Sequence, residues 1–408
     1  MTDIPASKPM IPVTEGRSAS MSANASRVQR GFLSMAQLRD YGLVFALAVI
    51  TLFFEYTTGG VLFQPLNLTN LILQNSYVVV MALGMLLIIV AGHIDLSIGS
   101  VVGLVGALAA MLMVRFGFDP LTATIICLAV GAAIGGLQGY FVAYLGIPSF
   151  IVTLAGMLVF RGMTLALLQG ASIGPFPEVF QLLSKGFLIN FAGPWTALLI
   201  AAALSLILVG LNWRRRVARV RNGGEADSWA SFIFRNGVTT IVILAFAYQM
   251  SAYRGLPNVL LVMFVLVMLY RFATTRTTIG RRIYALGGNL KAARLSGIKT
   301  ERLTFLTFAN MGALAGLAGM IFAARLNTAT PKAGVGFELD VIAACFIGGA
   351  SASGGIGKVS GVVIGAFIIG VMNNGMSIMG IGVDYQQVIK GIVLLAAVCL
   401  DVYNKNKA

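Results

Sequence analysis

The sequence predicts an all-α protein, a polytopic transmembrane helical bundle of about ten to twelve membrane segments with both termini in the cytosol. Three observations predict it. The 408 residues are 58% hydrophobic and only 11% charged, against roughly 25% charged in soluble domains, and mean hydropathy is +0.89. No charged side chain interrupts residues 56–92, 120–160, 186–213, 303–324 or 359–383, each long enough for one or two helices of the ~20 residues that a bilayer core requires. The runs are continuous, not alternating, which excludes a β-barrel.

Along the chain, residues 1–40 are rich in Ser, Ala, Pro and Met and lack an apolar leader. They read as a disordered cytosolic tail. The membrane domain occupies 41–403, with apolar segments at about 42–58, 70–91, 97–114, 121–145, 149–168, 194–212, 236–252, 256–271, 304–324, 339–350, 359–379 and 385–402. Segments 97–114 and 339–350 are short or interrupted by glycine and are candidates for broken or re-entrant helices. Residues 404–408 form a second cytosolic tail. With the N-terminus inside and every segment crossing, the inner side collects 22 of the 29 basic residues, chiefly in the N-terminal tail and in loops 213–235 and 272–303. Such an excess marks the cytosolic side. The net charge of +15 therefore reports topology and calls for no nucleic acid.

Several chemistries are absent. Cys127, Cys345 and Cys399 lie in apolar runs without paired spacing, and His93 is the single histidine, so neither a disulfide framework nor a metal site is expected. No catalytic set of nucleophile and base appears. Gly357-Lys358 resembles the end of a phosphate loop, but Ala352 stands where the first glycine belongs and Val359 follows the lysine. The chain has no nucleotide-binding motif of its own. Many of its 48 glycines fall in small-xxx-small register, as at Gly131/Gly135/Gly139, Gly312/Gly316 and Gly357/Gly361/Gly365, which predicts close helix packing. A faint echo between Ile98-Gly99-Ser100-Val101-Val102-Gly103 and Ile356-Gly357-Lys358-Val359-Ser360-Gly361 leaves an internal repeat open.

The most informative stretch is 278–298. Asn289 is a suitable N-cap and Gly297 a suitable C′ residue, so a two-turn helix is expected over 290–296. Composition alone fits two roles equally, docking to a soluble partner or lying on anionic lipid. Asp95, beside Leu96-Ser97-Ile98, fits an N-cap of the third segment or a sugar contact. Arg161 and Lys390 lie within spans. Lys390 has Asp384 or Asp340 as partners, and Arg161 can reach an edge.

The 278–298 stretch resembles the cytosolic coupling region of permease subunits of ATP-binding-cassette sugar importers, in the ribose/xylose/galactose branch. Two further stretches resemble that branch: Gly92 to Ser100, and Glu338 to Gly349 running on to Asn373-Asn374-Gly375. Pro148 to Met157 and the basic stretch near 213–235 resemble the xylose type most. The resemblance covers about 42–402. It implies a homodimer that takes a monosaccharide from a periplasmic binding protein across a bacterial inner membrane, driven by cytosolic ATPase subunits. No cofactor is needed in this chain, ATP being used by the partner subunits. Coupling is assigned to Gly280, Arg281, Gly287, Gly288, Asn289, Lys291, Ala292, Ala293, Arg294 and Gly297. The chain departs from the branch at Lys291, where a Glu usually precedes the Ala-Ala pair, so the salt bridge of such a Glu is not carried over. Candidates for the sugar path are Asp95, Ser97, Gln74, Asn75, Asn310, Asn373 and Asn374, polar groups in apolar surroundings. The rival reading is a stand-alone transporter coupled to ions, which needs intramembrane carboxylates, and only Asp95 and Asp340 approach that requirement.

Overall fold

The computed structural model describes residues 35–188, 193–223 and 228–406. The tail expected over 1–40 lies almost wholly outside them, as do residues 224–227. The chain divides into two compact units, Met1–Phe45 and Ala46–Ala408. The candidate path and coupling residues all belong to the second, and the described part of the first is the start of α1 (Met35–Thr57).

The helices that follow are α2 (Pro65–Val90), α3 (Ile98–Ala110), α4 (Pro120–Ala143), α5 (Ser149–Leu168), the single turn α6 (Glu178–Gln181), α7 (Thr196–Arg221), α8 (Trp229–Ser251) and α9 (Asn258–Arg276). Then come α10 (Thr278–Gly288), α11 (Leu290–Leu295), α12 (Thr300–Leu326), α13 (Phe337–Ile347), α14 (Val359–Ile378) and α15 (Val383–Asn406). Among the described residues there is no strand, only two isolated bridges. Nine helices there are long and apolar enough to cross a membrane: α2, α3 with its π-helical last turn Met111–Arg115, α4, α5, α7, α8, α9, α12 and α14. Nine is one short of the ten to twelve expected from sequence; the apolar part of α1, Gly42–Thr57, is a shorter helix, and α15 is not among the nine. The two short segments part company. Ile98–Arg115 is an unbroken 18-residue helix, whereas α13 has 11 residues, about 16 Å at 1.5 Å per residue, half a bilayer core.

Local sequence explains the starts. Asp119 caps α4, its carboxylate accepting from Thr122 N at 2.9 Å, with Pro120 at the first position, where a missing N–H costs nothing. The connections expected over 213–235 and 272–303 are themselves largely helical. α7 carries its arginines on two further turns beyond the apolar stretch, and α9 to α12 follow one another with breaks of only a few residues. Arg219 and Arg221 in the last turn of α7 suit the negative end of its dipole.

The core is formed by α2, α3, α12 and α14, with α4, α5 and α7 to α9 more exposed. α2 is buried along almost its whole length, as an all-apolar helix surrounded by others must be. Glycine sets the closest approaches, as its register predicts. A Cβ on Gly135 of α4 would lie 3.0 Å from Gly312 Cα of α12, and one on Gly348, at the end of α13, 2.6 Å from Val362 Cα of α14. With no hydrophobic drive between helices in lipid, this backbone contact is what binds them.

Candidate transport path and coupling site

Three groups of polar residues stand out, and they differ in how fully their hydrogen bonds are satisfied. The first is sealed. Asp95 Oδ1 accepts from Ser97 N at 2.8 Å and from Ser97 Oγ at 2.7 Å, and Ser97 Oγ accepts from Gln138 Nε2 at 2.8 Å. All three side chains are buried. Ser97, not Asp95, is the N-cap residue of α3. The carboxylate sits two residues earlier and closes a turn around Ser97 instead of receiving the helix's free N–H groups. Burial pushes the Asp95 carboxyl up to about 6 against the opposing pull of the Ser97 bonds, and burial likewise lowers the neighbouring His93 imidazole. Gln138, a lone amide in a glycine-rich run, carried no sequence signal.

The second group surrounds the half-helix α13. Its first turn brings Glu338 and Asp340 into the interior, where the positive end of a helix dipole favours carboxylates. Gly336 starts the helix with φ +79°, and Gly334 with φ +77° lets the preceding loop rest on the backbone of Gly99 in α3. Lys390 of α15 pairs with Asp340 at 2.8 Å, and Asn373 of α14 donates to the other carboxylate oxygen at 3.2 Å. Lys390 thus takes Asp340 rather than Asp384, and Arg161 of α5 acts electrostatically on Glu338. Tyr77 of α2 stacks on Phe337 with centroids 4.8 Å apart, and Phe322 of α12 meets both rings edge-on at 5.1 Å. Asn75, one residue pair away on α2, packs on Gly370 of α14. Three buried polar atoms here, Asn75 Nδ2, Glu338 Oε2 and Asn373 Oδ1, meet no hydrogen-bond partner. Leaving such an atom unpaired costs roughly 1–3 kcal/mol.

The remaining path candidates lie elsewhere. Asn374 exchanges two hydrogen bonds with Asn67, at 2.9 and 3.1 Å, joining α14 to α2. Gln74 is half-buried on α2. Asn310 accepts from Tyr270 of α9 at 2.5 Å and lines a cavity of about 300 Å³ between α9, α10 and α12.

The third group is α10 and α11. Gly280 allows α10 to turn back on α9, since a Cβ there would lie 2.7 Å from Thr274 Cα. Arg281 is exposed. Gly287 rests on the Val90 carbonyl at the end of α2, which also accepts from Gly355 N at 2.9 Å. Tyr284 donates to the Gly357 carbonyl at 2.7 Å. The α10 end is thereby fixed to α2 and to the α13–α14 connection, the same elements that carry the α13 group. Gly288 leads into α11, which is capped at both ends by its own sequence. Asn289 Oδ1 accepts from Ala292 N at 3.0 Å. Gly297, with φ +79°, lets Ile298 N reach Ala293 O at 3.1 Å while Gly297 N reaches Arg294 O at 3.0 Å, a Schellman arrangement. Ala293 faces inward, Arg294 pairs with Glu301 of α12, and Lys291 and Ala292 face out. Leu295 is 89% exposed and Leu290 52%, large apolar side chains held out by a helix whose backbone is already satisfied. Beside them Arg282, Gly297, Lys299 and Arg302 line a cavity of about 430 Å³ floored by Ile279, Ile298, Leu303 and Leu306.

Comparison with known proteins gives the family. Residues 67–398 match the model of the family described as branched-chain amino acid transport system / permease component. The xylose transport system permease protein XylH of Escherichia coli (strain K12) is 40% identical over 378 residues, 92% of this chain and 95% of the relative. XylH of Haemophilus influenzae is 41% identical, covering 92% and 99%. The ribose import permease protein RbsC of Escherichia coli (strain K12) is 33% identical, covering 91% and 96%. No solved structure matches. Match length and identity together place this multi-pass membrane protein: the chain belongs to the branched-chain amino acid transport system / permease component family.

Proposed function

We propose that this permease imports a monosaccharide of the xylose type across a bacterial inner membrane, as a homodimer served by cytosolic ATPase subunits and a periplasmic binding protein. The observation that carries this reading is 40% identity over 92% of the chain to a xylose permease, against 33% to a ribose and to an allose permease. The relatives are transport subunits, and transport with no covalent chemistry suits a chain without a nucleophile and base pair. The α13 group offers what a sugar needs: an aromatic trio for its apolar face, and amide and carboxylate groups for its hydroxyls. α11 supplies the coupling. Its exposed leucines and the cation-lined cavity beside it suit an acidic, partly apolar groove on the ATPase, and its attachment through Gly287 and Tyr284 carries a push at α11 to α2, α13 and α14. The Asp340–Lys390 pair neutralises one of the buried carboxylates, beside Asp95 and Glu338, that an ion-coupled transporter could use, which favours ATP-driven import.

Reconstitution tests this. Liposomes holding the chain, its ATPase and its binding protein should take up xylose only with ATP inside reach of the ATPase. Uptake by the chain alone under an imposed ion gradient would make it a secondary transporter. Gly297→Pro removes the αL residue and its N–H from the cap, and should abolish ATPase co-purification while the protein still reaches the membrane. Lys291→Glu should leave the fold intact, an acid near a helix N-terminus gaining roughly 0.3–1 kcal/mol. Full ATPase binding after both changes would end the docking assignment.

A further inference from the structure

The basic end of α7 is used neither by the α13 group nor by α11, and it is built as more than a topology signal. Arg216 lies over the ring of Trp229, 4.3 Å from its centroid, and 5.4 Å from that of Phe232, both on α8. Trp213 completes the aromatic cluster, 5.4 Å from Trp229 and 6.1 Å from Phe232. Arg216 Nη1 is buried and meets no hydrogen-bond acceptor. A guanidinium held this way is oriented by its neighbours yet left short of an anion. It lines a cavity of about 490 Å³ with Arg221, Trp213, Val217, Val220 and Trp229. No carboxylate lines this cavity among the described residues. The place matters as much as the chemistry. α7 is apolar from Thr196 to Leu211 apart from small hydroxyls and becomes basic from Arg214 onward, so the cavity falls where the span leaves the hydrocarbon, with two half-exposed tryptophans at headgroup level.

We propose that this cavity binds the phosphate of an anionic phospholipid, Arg216 and Arg221 taking the phosphate oxygens and Val217, Val220 and the indoles receiving the upper acyl chain. Guanidinium and phosphate suit each other through paired N–H donors, and basic residues at the cytosolic leaflet are where anionic lipid collects. The lipid joins α7 to α8 at the edge of the bundle, where α7 packs chiefly on that one helix.

The test uses the full chain purified in mild detergent, with phosphatidylglycerol and phosphatidylcholine as probes, read by native mass spectrometry and by the unfolding temperature in nanodiscs of either lipid. Wild type should retain phosphatidylglycerol in preference and melt higher in its presence. Arg221→Gln, an exposed change that spares the ring stack, should weaken retention about fivefold. Arg216→Gln should weaken it at least as much, and Arg216→Lys should rescue it only in part. Equal retention of the two lipids, or retention indifferent to Arg221→Gln and Arg216→Gln, would overturn the proposal. An equal thermal shift from inorganic phosphate alone would assign a free anion instead. Glu225 and Asp227 lie outside the described residues; if a Glu225→Gln, Asp227→Asn double variant gains lipid that wild type lacks, the chain's own acids fill the cavity and the proposal fails. Unchanged lipid retention with loss of ATPase co-purification would give the arginines to the partner protein.

Discussion

Asp95 and Asp340 are both buried carboxylates in an apolar chain, yet their surroundings are opposite. Asp95 is enclosed by Ser97 and Gln138, and the bonds among them close the group on itself. Asp340 is held by Lys390 and Asn373, but around it Glu338, Asn373 and Asn75 each keep a buried atom without a partner. A saturated polar cluster fixes one arrangement of helices. An unsaturated one carries a standing cost, and in the proposed import a hydroxylated solute would remove it. Burial of a carboxylate in a membrane protein is therefore not in itself a mark of function, and the state of its neighbours' hydrogen bonds separates the two regions.

The largest effect should come from breaking the Asp340 ion pair. Removing one partner leaves an uncompensated charge at roughly 3–5 kcal/mol, so Lys390→Met or Asp340→Asn should each lower the unfolding temperature sharply and abolish uptake. The double variant should recover much of the stability without uptake. Full uptake in the double variant would move the path away from α13.

Next is the pH response of the sealed cluster. A rise of the Asp95 carboxyl from 3.8 to about 6 corresponds to about 3 kcal/mol. Because the folded value lies above the unfolded one, this contribution is fully present below pH 3.8 and is lost as pH rises through about 6. Wild type should therefore lose stability relative to Asp95→Asn between these limits, as followed by unfolding in detergent, while xylose uptake by the variant stays near normal. A flat difference between the two across this range would mean that Asp95 is not buried as a carboxylate, and a large loss of uptake would make it part of the path.

Legibility in the sequence followed how local each cause is. The apolar runs declared the bundle, and Asn289 and Gly297 marked α11 within one residue, because caps act over a single turn. The helical extension of α7 to Arg221 was hidden because arginines favour helix and a membrane edge alike. α13 was visible only as a short segment, and the trio Tyr77, Phe322 and Phe337 not at all, since aromatic residues in apolar runs carry no signal until three helices bring them together. Among the path candidates, Asn75 packs on Gly370 of α14 and Asn373 donates to Asp340 of α13, while Asn310 lies by α9 and Asn374 binds Asn67. Nothing in the spacing of asparagines distinguishes these fates, because partners arrive from distant parts of the chain.

The smallest perturbation gives the most direct test. Single cysteines are placed at Asn373 and at Ser97 in a chain with Cys399 changed to serine, Cys127 and Cys345 being buried, and are treated with a small charged thiol reagent during ATP-driven turnover. The Asn373→Cys variant should react, and xylose should slow its reaction, while the Ser97→Cys variant stays unmodified with or without sugar. Sugar-protected labelling at Ser97, with Asn373 inert, would contradict the assignment of the open α13 group to the path.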